Sequence, residues 1–210
     1  MSDLSGAAKA AEGEARSLWQ RVRGQEPASA WSAWVFMIPG TVSLWLFPGL
    51  KGGVLLLTSF AVSLGTFVYH WRQTRGHDDL DRAGMAAELA AVTVLLAGWW
   101  WWLMLAAALA AAFVLVYNQR TRFSDRVWVA GFGLLAAIAL GYRGQWVMLA
   151  GSLGAALAGF YYWRKPYSSG TATTEAGNLH VAGDWHHATW HTFEALAVMC
   201  AIVGAFLALR

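Results

Sequence analysis

The chain has 210 residues, 58% of them hydrophobic and only 13% charged, with 14 tryptophans and a formal net charge of +3. A soluble domain carries about 25% charged residues, so this composition, with a mean hydropathy of +0.43, points to an all-α polytopic membrane protein. The single cysteine, Cys200, allows no internal disulfide and carries no information on redox compartment.

Residues 1–30 read as a separate cytoplasmic element. Ala7 to Arg23 mixes Ala, Glu and Arg with Leu18 and Trp19, which suits either a short helix lying on the membrane surface or a frayed tail. The first strongly apolar run begins only near Trp31, behind Lys9, Arg16, Arg21 and Arg23, so no cleavable signal peptide is visible.

From residue 31 to 210 the expectation is one seven-helix transmembrane domain. A helix crosses the hydrocarbon core with about 20 apolar residues, and seven such stretches fall at about 31–50, 53–72, 82–98, 99–117, 127–142, 145–163 and 186–208. Pro39-Gly40 is expected to kink the first. The third is the weakest, being Ala-rich and carrying Glu88. Ala83 to Tyr117 is 35 residues, about 52 Å as one helix, too long for one crossing. A tight reversal near Gly98 is therefore expected, with Trp99 to Trp102 forming an aromatic belt at the interface. Residues 164–184, rich in Gly, Ser and Thr, read as a flexible loop that could close as a lid over the start of the seventh span.

Seven crossings assign each loop to a face. One face then holds Lys9, Arg16, Arg21, Arg23, Arg72, Arg75, Arg82, Arg120, Arg122, Arg126, Arg164 and Lys165, and the other Lys51, Arg143 and Arg210. This split of 12 against 3 among the 15 basic residues puts the first face and the N-terminus in the cytoplasm, and the C-terminus opposite. The basic residues are spread as topology demands, and no nucleic-acid motif, phosphate-binding glycine loop or internal repeat is present.

The chemistry-bearing residues gather at that cytoplasmic face. His187-Ala-Thr-Trp-His191 opens the seventh span, with its imidazoles at i and i+4 on one helix face. His70 ends the second span and Asp81 opens the third. Taken singly, a histidine at a helix end has an ordinary role as an interfacial hydrogen bonder. Converging at one depth, His70, His187 and His191 describe three ligands of a catalytic zinc site with an open position. Asp81 is placed to move a proton or to orient a ligand. Thr66, four residues before His70, offers a hydroxyl to the water or to an oxyanion, against the plain alternative of bonding its own backbone. His77 and His180 read as exposed loop residues, and His186 points about 100° away from His187.

These residues resemble a known superfamily, CREST, which comprises the alkaline ceramidases, the progestin and adiponectin receptors and their relatives. Its pattern is Ser-x3-His ending the second core helix, an Asp near the start of the third, and His-x3-His opening the seventh. Here the counterparts are Thr66-x3-His70, Asp81 within Leu80-Asp-Arg-Ala-Gly-Met85, and His187-x3-His191, over about 31–208. The resemblance implies a zinc ion (Zn2+) held by the three histidines, flanked by the acid and the hydroxyl. It also implies hydrolysis of a lipid amide, as in ceramides, or of a lipid ester. Threonine stands where the family has serine, which puts the hydroxyl's role in question.

Glu88 and Glu194 lie seven residues beyond Asp81 and His187, about 10 Å deeper on similar helix faces. Intramembrane carboxylates find partners, so a structural hydrogen bond, a supporting role beside the ligands, or an added metal contact from Glu194 are all open. Two further function classes stand beside the hydrolase: a lipid receptor or binding protein with a structural zinc, and a metal or proton transporter using Glu88 and Glu194. A di-iron lipid hydroxylase fits poorly, because its eight-histidine ligand set exceeds the six histidines present. The expected partners are a membrane lipid substrate and the bilayer.

Overall fold

The computed structural model describes the backbone of residues 27–72, 75–117, 122–164 and 177–210, and the side chains of 29–71, 80–114, 129–162 and 186–210. The surface helix or tail expected before residue 27 and the 165–176 part of the expected lid lie outside the described residues. Among those described there is helix and no strand. The elements are α1 (Pro27–Ser32), a 3-10 turn (Ala33–Phe36), α2 (Met37–Leu46), α3 (Leu50–Arg72), α4 (Arg75–Leu96), α5 (Trp101–Tyr117), α6 (Arg122–Tyr142), α7 (Trp146–Arg164) and α8 (Gly177–Leu209). Ser32, Phe36 and Met37 keep helical dihedrals, so α1, the 3-10 turn and α2 form one irregular segment. The described chain is thus seven helical segments, all-α.

Proline explains the irregularity of the first segment, but its place differs from the expected one. Pro39 lacks an N–H and its ring crowds the carbonyl four residues back. The chain absorbs this upstream, in the tighter turn Ala33–Phe36, and then runs as regular helix through Pro39 and Gly40. Gly40 serves contact instead: a Cβ there would stand 2.6 Å from Ser59 Cβ on α3.

The reversal between α4 and α5 falls at Gly98, as expected, with a φ of 80° that favours glycine. Arg143, beyond α6, reaches across this turn. Its Nε donates to Leu96 O at 3.0 Å and its Nη2 to Ala97 O at 2.8 Å, satisfying carbonyls that a helix end leaves orphaned. A Cβ at residue 98 would lie 2.8 Å from that Nη2, so a side chain there would also push the guanidinium from the carbonyls it caps.

At the opposite end the helices outrun the apolar stretches. α4 starts at Arg75 and α8 at Gly177, so residues 177–184, expected as loop, are helical. Extending an existing helix fixes one residue per hydrogen bond, whereas starting one costs a nucleus. That difference lets a long apolar helix carry a polar, Gly-containing extension.

α4 is the hub. It packs against α3, α5, α6 and α8, while α1 and α2 pack on α8 and so bring the first and last segments together. Ala83, Gly84, Ala86, Ala87, Ala90 and Ala91 of α4 are all buried, and small residues let several helices approach one axis closely. The main apolar cluster, including Leu55, Val92, Leu95, Met104, Leu140 and Ile202, fills the half of the bundle towards Gly98. Outward-facing positions are apolar as well: Leu109, Phe113, Leu134, Ile138, Val147 and Leu157 are each more than half exposed. Two stretches, Leu50–Trp71 and His186–Leu209, are long and apolar enough to cross a membrane. Trp99, Trp100, Trp101 and Trp102 are all exposed around the α4–α5 turn.

Candidate metal centre

α3 carries a polar stripe. Ser59, Ser63, Thr66 and His70 are all buried, and their spacing of four, three and four residues puts them on one helix face. Facing them are Asp81 and Glu88 of α4, seven residues apart, and His187 and His191 of α8, four apart, with Glu194 a turn further on.

Glycines set the distance across which these residues meet. A Cβ at Gly65 would be 2.8 Å from Leu80 O and 3.1 Å from Asp81 Cα, and one at Gly84 would be 2.9 Å from Val62 Cα. The two backbones touch reciprocally, which brings Thr66 against Asp81. The Thr66 hydroxyl donates to Asp81 Oδ1, and one α4 repeat deeper the Ser59 hydroxyl donates to Glu88 Oε1.

His70, His187 and His191 converge at the end of this stripe. Each offers one ring nitrogen, and these atoms all lie within 4.8 Å of one another. Ring centroids are 4.6 Å apart for His70–His187, 5.1 Å for His70–His191 and 4.9 Å for His187–His191. All three are buried, at 1%, 7% and 0% exposure, so they are close enough to bind one metal ion. Three imidazoles around a tetrahedral ion with bonds of about 2.0–2.1 Å need nitrogens about 3.3 Å apart, a closure small enough for ring rotations. Imidazole suits zinc, copper, iron and nickel. The Nε2 atom of His191 is buried without a hydrogen-bond partner, which fits a lone pair kept for an ion.

Aromatic rings wall the centre. Trp190 lies 4.7 Å from His187, Phe36 5.6 Å from His191 and Tyr69 4.8 Å from His70. Trp190 also reaches α7, where a Cβ on Gly159 would come within 3.1 Å of it.

Of the residues singled out from sequence, His70, His187 and His191 come together in one group, and Thr66, one turn before His70, meets Asp81. Thr66 turns its hydroxyl proton to Asp81 rather than to its own backbone. Glu88 takes the structural bond to Ser59. Glu194 contributes no atom to the ligand group; its Oε2 is buried without a hydrogen-bond partner. His186 lies beside Tyr162, at 6.3 Å between rings, and Cys200 packs 3.1 Å from where a Cβ on Gly151 would stand.

Sequence reasoning misses three residues: Ser59, Ser63 and Ser32. The α3 serines carry a signal, since they continue the Thr66–His70 spacing towards the middle of the helix. Ser32 carries none, because it belongs to a segment far away in the chain. Its Oγ lies 2.8 Å from His191 Nδ1 and donates to Ser29 O at 2.9 Å.

No family model, no curated protein and no solved structure matches the chain.

Proposed function

We propose that this chain is a seven-helix integral membrane protein that hydrolyses a lipid amide or ester at a zinc ion held by His70, His187 and His191. The observation that carries the proposal is the convergence of three buried imidazoles, one of them a helical turn from Thr66, whose hydroxyl holds the buried acid Asp81. Ionisable side chains are costly inside an apolar bundle and mark function there. The outward apolar surface and the two membrane-length helices support the membrane placement. The 12 to 3 division of basic residues supports a cytoplasmic centre. The CREST-like order of Thr66, His70, Asp81, His187 and His191 favours a lipid substrate.

Zinc bound by these histidines would supply a Lewis acid that polarises a carbonyl and makes water acidic enough to attack near neutral pH. Asp81, aimed by the Thr66 hydroxyl, accepts the proton of the attacking water. It returns that proton to the leaving amine or alcohol as the acyl bond breaks. Phe36, Tyr69 and Trp190 keep bulk water from the imidazoles. The lipid tail would lie between helices, with its carbonyl at the end of the α3 stripe.

Purified protein in detergent is expected to carry about one zinc per chain by elemental analysis. His191→Ala should lose it, and metal-replete protein should release fatty acid from long-chain lipid amides or esters. Wild-type protein without stoichiometric zinc, with no metal lost in His191→Ala, overturns the proposal.

A further inference from the structure

Ser32 contacts the metal centre from an element that the histidine pattern does not include. It ends α1, and α1 packs on α8, which brings its Oγ to 2.8 Å from His191 Nδ1. The same Oγ donates to Ser29 O at 2.9 Å. A serine hydroxyl has one proton and two lone pairs. With the proton given to the Ser29 carbonyl, the oxygen accepts from a ring protonated at Nδ1, and the Ser29 backbone is itself a hydrogen-bond partner of His191.

The other nitrogen leads to the same assignment. His191 Nε2 is buried with no hydrogen-bond partner and belongs to the converging ligand atoms. In the opposite tautomer it would carry a buried proton with nothing to receive it, an unfavourable arrangement. With Nδ1 protonated, Nε2 bears a lone pair turned to the ion.

We infer that Ser32 is a positioning residue for the metal centre: with the Ser29 backbone as a second partner of the ring, its hydroxyl at His191 Nδ1 holds the tautomer and ring plane that present His191 Nε2 as a ligand. Outer partners of this kind orient ligating histidines and change metal affinity by about 10- to 100-fold when removed. This deepens the metal reading proposed above and rests on it. It also makes α1 part of the centre, although α1 supplies no ligand.

The test compares wild type, Ser32→Ala and Ser32→Thr, each purified at full length in detergent and stripped of metal. Zinc affinity is measured by competition with a chelator. The His191 tautomer is read from imidazole 15N shifts in metal-free protein, assigned with His191→Ala. Ser32→Ala is expected to bind zinc at least about 10-fold more weakly, with its metal-free thermal midpoint unchanged. Ser32→Thr keeps a hydroxyl able to bond the carbonyl three residues back and should restore wild-type affinity. The tautomer should be Nδ1–H in wild type and Ser32→Thr; in Ser32→Ala the Ser29 backbone remains as a partner, and the loss of the hydroxyl should shift the His191 Nδ1 resonance together with the weaker zinc binding.

Equal zinc affinity in Ser32→Ala, or an Nε2–H tautomer in wild type, overturns the role of Ser32. A metal-free Ser32→Ala that melts early, with Ser32→Thr failing to rescue zinc affinity, also overturns it, since the residue then serves packing alone. Wild type that binds no zinc overturns the metal reading instead, and the 15N tautomers still decide whether Ser32 sets the ring.

Discussion

Thr66 gives its hydroxyl proton to Asp81, and this one bond changes what each residue can do. A threonine committed to the acid is a holder of the acid, so the methyl that distinguishes it from the serine of CREST-like proteins has little to disturb. Asp81 is only 5% exposed, so the acid that Thr66 holds is enclosed by the bundle. Asn at this position retains an acceptor for Thr66 and nearly the same shape but cannot take a proton. Asp81→Asn is therefore expected to keep full zinc occupancy while lipid hydrolysis falls by about 10²–10⁴-fold, read by elemental analysis and fatty-acid release on one preparation. Wild-type turnover in Asp81→Asn would remove Asp81 from the mechanism. The three histidines and this acid are legible in the sequence because each sits at the end of an apolar stretch, with i, i+4 spacing or in a short polar run. The partners of Ser59 and Ser32 are not, because a serine in an apolar helix ordinarily bonds its own backbone, as Ser43 and Ser63 do and as Ser32 does while also meeting His191. Only packing between helices shows which serines turn elsewhere.

The α3–α4 pair converts glycine into geometry. Gly65 and Gly84 have backbone atoms of the facing helix where a Cβ would go, at 2.8 Å and 2.9 Å, and backbone cannot rotate aside. Gly53, on the same α3, has nothing within 4 Å of its missing Cβ. The same substitution should thus have opposite signs along one helix. Gly65→Ala is expected to cost about 1–3 kcal/mol through overpacking and to weaken zinc binding, because it drives Asp81 and α4 from His70. Gly53→Ala should be neutral or stabilising by up to about 1 kcal/mol, the helix-propensity gain of alanine. Thermal unfolding in detergent with a parallel zinc titration reads both; a Gly65→Ala protein as stable as Gly53→Ala would show that the helices are not in contact there. The same pair explains which helices can be read in advance. α5 and α7 announce themselves as long apolar runs, and the Gly98 reversal follows from length alone. α4 reads as the weakest helix because it is the most enclosed: at the hub small alanines replace large apolar side chains, and Glu88 finds Ser59. Helix starts at Arg75 and Gly177 escape notice because their polar, Gly-containing turns are carried by the helices they extend.

At the scale of the whole molecule, polarity and charge run along one axis. Among the described residues, the imidazoles, Thr66 and Asp81 lie at the end where the helices carry Arg72, Arg75, Arg82, Arg122, Arg126 and Arg164, and the exposed tryptophans 99–102 lie at the other. The described chain runs the length of the bundle an odd number of times, since α1 meets the His187–His191 part of α8 while Leu209 ends α8 beside Gly98 (a Cβ on Gly98 would be 3.3 Å from it). Under the membrane reading proposed above, the positive-inside rule puts the centre in the cytoplasm and Arg210 outside. A fusion at Arg210 expressed in a bacterial host tests this directly. Alkaline phosphatase, active only outside the cytoplasm, should be active there, and green fluorescent protein at the same position should stay dark. The reverse pattern would invert the bundle and hand the metal centre a substrate from the opposite leaflet. Removing basic residues around α4 and α6 should weaken the bias without touching the zinc site, because orientation follows loop charge whereas metal binding follows the α3, α4 and α8 contacts.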